Sequence, residues 1–260
     1  MARLTVDLFS DALEVATTVT VVWPQVTEHQ VGIAGGRAGE HGPPVLYLLH
    51  GRTDDHSAWT RNTTVERHAV VAGVAVVMPS VGRSFYTVEV HGDRYWTYLS
   101  EELPRFVEST FRVSTRREDT FVAGLSMGGY GAMKWALREP GRFAAAATMS
   151  GALDVVALLR DPERGAELVD RVFGPSVAAE NDLFALLRDA DVTTLPRLHV
   201  SCGTEDHLVD HNRRFVALAE EVGADLTTDF RPGEHEWGFW DTEVRTVLDW
   251  MLGRADETAS

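Results

Sequence analysis

Cysteine is almost missing from this sequence: Cys202 is the only one among 260 residues. A single thiol cannot close a disulfide within the chain, nor build a cysteine-based zinc or iron–sulfur site. Basic residues are scarce too, 24 Lys plus Arg against 39 Asp plus Glu, for a formal charge of −15. A nucleic-acid surface needs clustered cations to neutralise phosphates, and an anionic membrane surface attracts the same sign. Neither partner is therefore expected. No apolar run approaches the ~20 residues that span a bilayer. Residues 1–10 show no apolar core behind a basic end, so no secretory leader is read. Gly (22) and Pro (10) stand at ordinary levels, which excludes collagen-like and low-complexity chains. With 44% hydrophobic and 24% charged residues the chain is expected to be globular, and the lone cysteine with no leader or spanning run read points to a cytoplasmic setting. Homo-oligomerisation is left open.

Short apolar runs alternate with helical patterns along the chain. Residues 18–23 alternate and are β-branched, with Pro24 ending the run. Residues 45–50 (VLYLLH), 74–78 (VAVVM) and 120–125 (TFVAGL) are continuous apolar runs, as expected of strands covered on both faces. Further strands are read at 143–149, 197–202 and 226–230, and a loop at 32–44. Helices are expected at 62–72, 98–110, 127–138, 212–221 and 236–252, with a frayed tail at 253–260. This order predicts an α/β fold, a mostly parallel central sheet with helices on both faces, in one domain over 1–260. Residues 152–194 break the rhythm with short helical segments near 155–159, 163–172 and 182–187. They are read as a helical insertion over the C-terminal edge of the sheet, where such folds bind ligands.

One segment carries chemistry. Residues 124–129 (GLSMGG) fit G-x-S-x-G, after a buried strand and before a helix. That sharp turn lifts the Ser126 hydroxyl above the sheet edge, over a helix N-terminus suited to a developing oxyanion. A serine hydroxyl needs a base, and the base needs an orienting carboxylate. His235 lies in a loop directly after the last strand. The loop after 197–202 offers Asp206, with Glu205 and Asp210 as rivals; Asp154 is a more distant one. The oxyanion donors expected from position are the Met127 N–H and, after the strand ending at His50-Gly51, the Arg52 N–H. His50 is read as holding that loop; whether the Arg52 side chain points into the site is left open. Gly51, Trp59, Trp96 and Trp237 are candidate substrate contacts; Tyr86 and Tyr95 also lie in loops after strands.

The motifs Leu48-Leu49-His50-Gly51, Met78-Pro79-Ser80, Gly82-Arg83-Ser84-Phe85-Tyr86, Glu101-Glu102-Leu103-Pro104, GLSMGGYG from Gly124, Ser150-Gly151, Cys202-Gly203-Thr204-Glu205-Asp206 and His235-Glu236-Trp237 with Trp240 together resemble the esterase D-type branch of the α/β-hydrolases. That branch holds tributyrin, feruloyl and acetylxylan esterases, S-formylglutathione hydrolases and mycolyltransferases. The run GLSMGGYGAMKWAL is most similar to the small bacterial tributyrin and feruloyl esterases. The resemblance implies the α/β-hydrolase fold and a small-molecule ester as substrate. It implies hydrolysis without a cofactor, with Ser126, Asp206 and His235 as the triad. A thioesterase or acyltransferase with the same triad is the alternative within the family, and a silent ligand-binding protein the alternative outside catalysis.

Two other patterns fail. His207 and His211 stand four apart, but no third metal ligand accompanies them in the sequence, and Phe239 breaks an HExxH reading at His235-Glu236. No metal site is expected. Cys202 ends a buried strand and is read as packing.

Overall fold

The structure, a computed structural model, describes residues 1–25, 27, 29, 39–161 and 165–254. The chain opens with a hairpin, β1 (Ala2–Ser10) and β2 (Val15–Trp23). β3 (Val45–Leu49), two helices α1 (Ala58–Asn62) and α2 (Val65–Ala72), and β4 (Ala75–Pro79) follow. A helical stretch then begins at α3 (Tyr95–Thr97), widens into a π-helical turn over Tyr98–Glu102 and continues as α4 (Leu103–Thr110). Next come β5 (Thr120–Leu125), α5 (Met127–Arg138) and β6 (Ala145–Met149). Beyond β6 lie α6 (Val155–Leu159), α7 (Gly165–Glu167) with a π-helical continuation over Leu168–Phe173, and α8 (Leu183–Asp189). The chain closes with β7 (Arg197–Gly203), α9 (Val209–Val222), β8 (Leu226–Arg231) and α10 (Trp237–Met251).

Among the described residues the strands form one eight-stranded sheet in the order β1-β2-β4-β3-β5-β6-β7-β8. From β4 to β8 all neighbours are parallel; β1 and β2 join antiparallel at one edge. β3 and β5 are adjacent, yet the chain leaves β3 to form β4 on its other side. The loops that follow β3 and β5 therefore diverge, and a crevice opens at their C-terminal ends. Both faces of the sheet are covered. On one, α5, α8 and α9 bury Tyr130, Trp135, Leu183 and Phe215; on the other, α1, α2 and α10 bury Trp59, Val70, Phe239 and Val247. Residues 127–137 of α5 are all buried, which suits a helix apolar on nearly every side.

The α/β-hydrolase architecture read from the motifs is what the chain adopts. Most boundaries move by one to three residues. β1 is a further strand that the apolar runs did not mark. Its Leu4, Val6 and Leu8 do alternate, but they lie on an exposed edge, so the pattern carries little hydrophobic contrast. The helix expected at 62–72 is divided at Thr63 and Thr64. The helix expected at 98–110 starts earlier and widens ahead of Pro104, which has no N–H for the helical ladder. Of the segments read from sequence, 32–38, 163–164 and 255–260 lie outside the described residues.

Candidate active site

Ser126 sits between β5 and α5 with φ 52° and ψ −116°, a conformation that L-residues rarely adopt. Its neighbours explain how the turn is tolerated. A Cβ on Gly124 would stand 2.3 Å from the Gly128 carbonyl oxygen, and one on Gly128 2.3 Å from that of Leu49. The Ser126 N–H donates to Met149 O at 3.0 Å, while its carbonyl accepts from Tyr130 N (3.1 Å) and Ala152 N (3.0 Å). Backbone groups alone thus hold the strained residue, leaving the hydroxyl free for chemistry.

The loops after β7 and β8 are fastened to each other. Glu205 N donates to Gly233 O at 3.1 Å, and the Glu205 carboxylate accepts from Gly233 N at 2.7 Å. Gly203 lies so close beneath that a Cβ there would meet Gly233 O at 2.0 Å. This clip brings three distant side chains into line. Ser126 Oγ lies 3.1 Å from His235 Nε2, and His235 Nδ1 lies 2.8 Å from Asp206 Oδ2. An ionised carboxylate only accepts, so Nδ1 carries the proton and Nε2 offers its lone pair to the serine hydroxyl. Asp206 Oδ1 accepts from Leu208 N at 2.8 Å. Ser150, whose hydroxyl accepts from Trp240 Nε1 at 3.1 Å, donates to Asp206 as well. Burial alone would push the Asp206 carboxyl up. The hydrogen bond and charge of His235, with the Leu208 and Ser150 donors, outweigh it and hold the carboxyl below the usual range.

The rival acids are occupied elsewhere. Glu205 is the loop clip. Asp154 caps α6 through Ala157 N at 2.8 Å and pairs with Arg214 at 2.9 Å. Asp210 is exposed on α9, 3.8 Å from Arg213. Cys202 is buried, which pushes its thiol up to about 12 and disfavours the reactive thiolate.

His50 fastens the loop after β3. Its Nδ1–H donates to Gly51 O at 2.7 Å, its Nε2 accepts from Val81 N at 3.1 Å, and the Tyr86 hydroxyl donates to its carbonyl at 2.8 Å. Both ring nitrogens are used only if the ring is neutral. Burial lowers the His50 pKa from 6.5 to about 4. His199 on β7, packed on Trp250, is lowered to about 4 by the same cause. Each imidazole is thus harder to protonate in the fold than in the unfolded chain. The stability it contributes is complete above pH 6.5 and declines as pH falls from 6.5 toward 4, by about 3 kcal/mol apiece at most. Urea unfolding at pH 7.5 and pH 4.5 should show this loss; equal stability at the two pH values would contradict the neutral, doubly bonded His50.

A cavity of about 490 Å³ lies over Ser126 and His235. Ser126, Met127, Gly51, Arg52, Thr53, Asp54, His207 and His235 form its polar part. Phe85, Leu125, Ala152, Leu158, Leu168 and Leu208 supply apolar wall, and Trp237 and Trp240 close one side. Burial pushes the Asp54 carboxyl up. Among the described residues, no acceptor pairs with the Met127 or Arg52 backbone N–H. Gly51 approaches the nucleophile closely: a Cβ there would come within 3.8 Å of Ser126 Cβ.

Several expectations need correction. Trp59 does not line the cavity. It is fully buried under α10, its Nε1 donating to Leu49 O at 3.2 Å, because a buried indole N–H needs an acceptor and the end of β3 provides one. Trp96 is also away from the cavity, covered by Lys134 (4.6 Å) and Arg138 (4.3 Å) in cation–π contacts. Tyr86 braces His50 instead of facing a ligand. The Arg52 side chain, whose direction the sequence left open, reaches Glu167 of α7 at 3.4 Å, and Arg83 meets the same carboxylate at 3.3 Å. Gly51 and Trp237 do line the cavity. Phe85, Leu158, Leu168 and His207 join them unanticipated, since no local pattern says which face of a loop will look inward.

The sequence profile of the Esterase family matches residues 10–250. The chain belongs to the Esterase family. An acetyl esterase of Caldicellulosiruptor saccharolyticus is 28% identical over 268 residues, spanning 98% of this chain and all of the relative. The substrate-bound fluorophosphonate-binding serine hydrolase F of Staphylococcus aureus superposes with a TM-score of 0.84 at 28% identity, over 96% of this chain and 98% of that one. A ferulic acid esterase superposes at 0.79 with 26% identity, over 97% and 98%. This Esterase-family chain is a serine hydrolase of carboxylic esters, with a small ester as its substrate. No helix among the described residues is long and apolar enough to cross a membrane.

Proposed function

We propose that Ser126, His235 and Asp206 are the catalytic triad of a carboxylesterase for short-chain acyl or aryl esters of acetyl, butyryl or feruloyl type. The observation that carries this reading is the unbroken line Ser126–His235–Asp206, at 3.1 and 2.8 Å, facing the cavity. His235 Nε2 takes the serine proton as Ser126 Oγ attacks the ester carbonyl. The oxyanion is held by the unpaired N–H groups of Met127 and Arg52. His235 then protonates the departing alcohol, and the acyl group remains on Ser126. Water enters, gives its proton to His235 and releases the acid, returning the serine. No step calls for a cofactor. The whole of 1–260 acts as one α/β-hydrolase domain, with 152–194 as the insertion that lends Leu158 and Leu168 to the cavity wall. A cytoplasmic setting belongs to the same proposal, supported by an acidic sequence with a lone cysteine.

Acyl length follows from space. A cavity of about 490 Å³ is at the small end for ligand sites and must also admit the alcohol. Chromogenic acetyl, butyryl, octanoyl and feruloyl esters, with a thioester alongside, provide the test. The kcat/KM for acetyl or butyryl should exceed that for octanoyl by roughly 10-fold or more, since unmatched methylenes are discriminated by about that factor. A higher kcat/KM for the thioester than for every oxygen ester would instead favour the thioesterase alternative.

A further inference from the structure

We propose that Asp206, His207 and His235 form an inhibitory site for one divalent transition-metal ion of the Zn²⁺ or Cu²⁺ class, which stops hydrolysis by changing the tautomer of the base. The inference builds on the triad reading above and adds a regulatory ligand to it.

The two histidines that stand four apart in sequence have different partners. His211 Nδ1 accepts from Asp154 N at 3.3 Å. His207 turns toward the triad instead. Its ring lies edge-on to that of His235, centroids 4.6 Å apart, and its Nδ1 is 3.6 Å from Asp206 Oδ1. One ligand atom from each of Asp206, His207 and His235 lies within 4.8 Å of the other two. Zinc–nitrogen and zinc–oxygen bonds of about 2.0–2.2 Å in a tetrahedron place ligand atoms about 3.3–3.6 Å apart. Closing the present cluster to that size draws in His207, which is 45% exposed, by about an ångström, and needs the half-buried His235 to open its 2.8 Å Nδ1–Oδ2 pair by about half an ångström, while Leu208 N–H holds the buried Asp206 in place.

The donor set chooses the ion. Two imidazoles and one carboxylate are the ligands of many zinc centres, and imidazole binding strengthens toward copper. Mg²⁺ and Ca²⁺ prefer all-oxygen surroundings and gain little here. The Asp206 side chain already faces both imidazoles, and cavity-facing His207 gives the ion an entrance.

The chemical consequence is specific. In the working site Nδ1 of His235 holds the proton and Nε2 the lone pair. An ion bound at Nδ1 takes the lone pair there, and the displaced proton passes through solvent to Nε2. The imidazole stays neutral and no electron is transferred. Nε2–H then faces Ser126 as a donor and has no lone pair with which to accept the serine proton. Substrate still fits the cavity, so the loss falls on kcat and on labelling of Ser126 by a fluorophosphonate.

The test uses the full chain after chelator treatment and dialysis, titrated with ZnCl₂ or CuCl₂, with MgCl₂ as control. Zn²⁺ and Cu²⁺ should lower kcat reversibly, with recovery on adding EDTA, and Mg²⁺ should not. His207→Gln should raise the half-inhibitory zinc concentration by more than the roughly 10- to 100-fold that loss of an outer-shell partner costs, with each protein normalised to its own metal-free rate. Calorimetric titration of Ser126→Ala with Zn²⁺ should detect one ion per chain, lost in Ser126→Ala/His207→Gln. Superimposable zinc curves for native and His207→Gln enzyme, or no zinc uptake by Ser126→Ala, would overturn the proposal. Should the triad reading itself be wrong, metal-free Ser126→Ala would retain activity whatever zinc does, so the two failures are distinguishable.

Discussion

Replacing Ser126 with alanine is expected to reduce kcat for ester hydrolysis by roughly 10⁶-fold, the scale seen when a triad nucleophile is removed. The effect should be confined to chemistry. The bonds that hold the strained turn come from Ser126 backbone atoms, donating to Met149 O and accepting from Tyr130 N and Ala152 N, and alanine keeps all of them. Gly124 and Gly128, which the turn requires, are untouched. The variant should therefore unfold at the native temperature, bind substrate and resist a fluorophosphonate. A native-like rate in a well-folded Ser126→Ala protein would remove Ser126 from the mechanism. Equal loss of activity and fold would instead show that the hydroxyl has a structural duty the geometry does not display.

Asp206→Asn should cost roughly 10⁴-fold in kcat, and the reason is a tautomer. Leu208 N–H, 2.8 Å from Oδ1, requires an acceptor, so the asparagine turns its carbonyl that way. Its NH₂ then faces His235 Nδ1, where Asp206 Oδ2 had accepted at 2.8 Å. A donor there forces the proton onto Nε2, the state in which the histidine cannot serve Ser126. Shape and packing are nearly unchanged, so stability should move little compared with activity. Glu205→Gln is the paired control. Glu205 clips Gly233 and does not reach His235, so its substitution should loosen the loop without reversing the tautomer. A greater kcat loss in Glu205→Gln than in Asp206→Asn would transfer the acid's role to Glu205.

The zinc proposal and Asp206→Asn arrive at one chemical state by different routes. In both, Nε2 of His235 carries a proton it should lack. They differ in reversibility, since EDTA restores the first and nothing in solution restores the second.

Ser126 and His235 stood out as candidates because the chemistry restricts both residue type and place. A nucleophile of this kind needs a strand, a glycine-flanked turn and a helix in immediate succession, and 124–129 satisfies that locally. The buried parallel strands were legible for a related reason: covered on both faces, they must be apolar at every position. β1 lay outside that logic. An edge strand exposed to water gains its stability from hydrogen bonds to β2, which leave little trace in hydrophobicity. Tryptophan was misleading in the same way. Trp59, Trp96 and Trp237 follow similar strand ends, yet only Trp237 reaches the cavity, because helix orientation turns Trp59 into the core and Lys134 and Arg138 cover Trp96.

The order of elements, the candidates for nucleophile and base, and the class of reaction could be read from the residues alone, since each depends on short-range pattern and on which side chains can do the chemistry. Which of four carboxylates meets His235, the Arg52–Glu167 contact between the loop after β3 and α7, and the meeting of His207 with His235 were decided by the folded chain. Those outcomes depend on how loops from β3, β6, β7 and β8 converge above the sheet, and distances across that convergence are fixed by strand register and helix packing, which no local stretch of sequence contains.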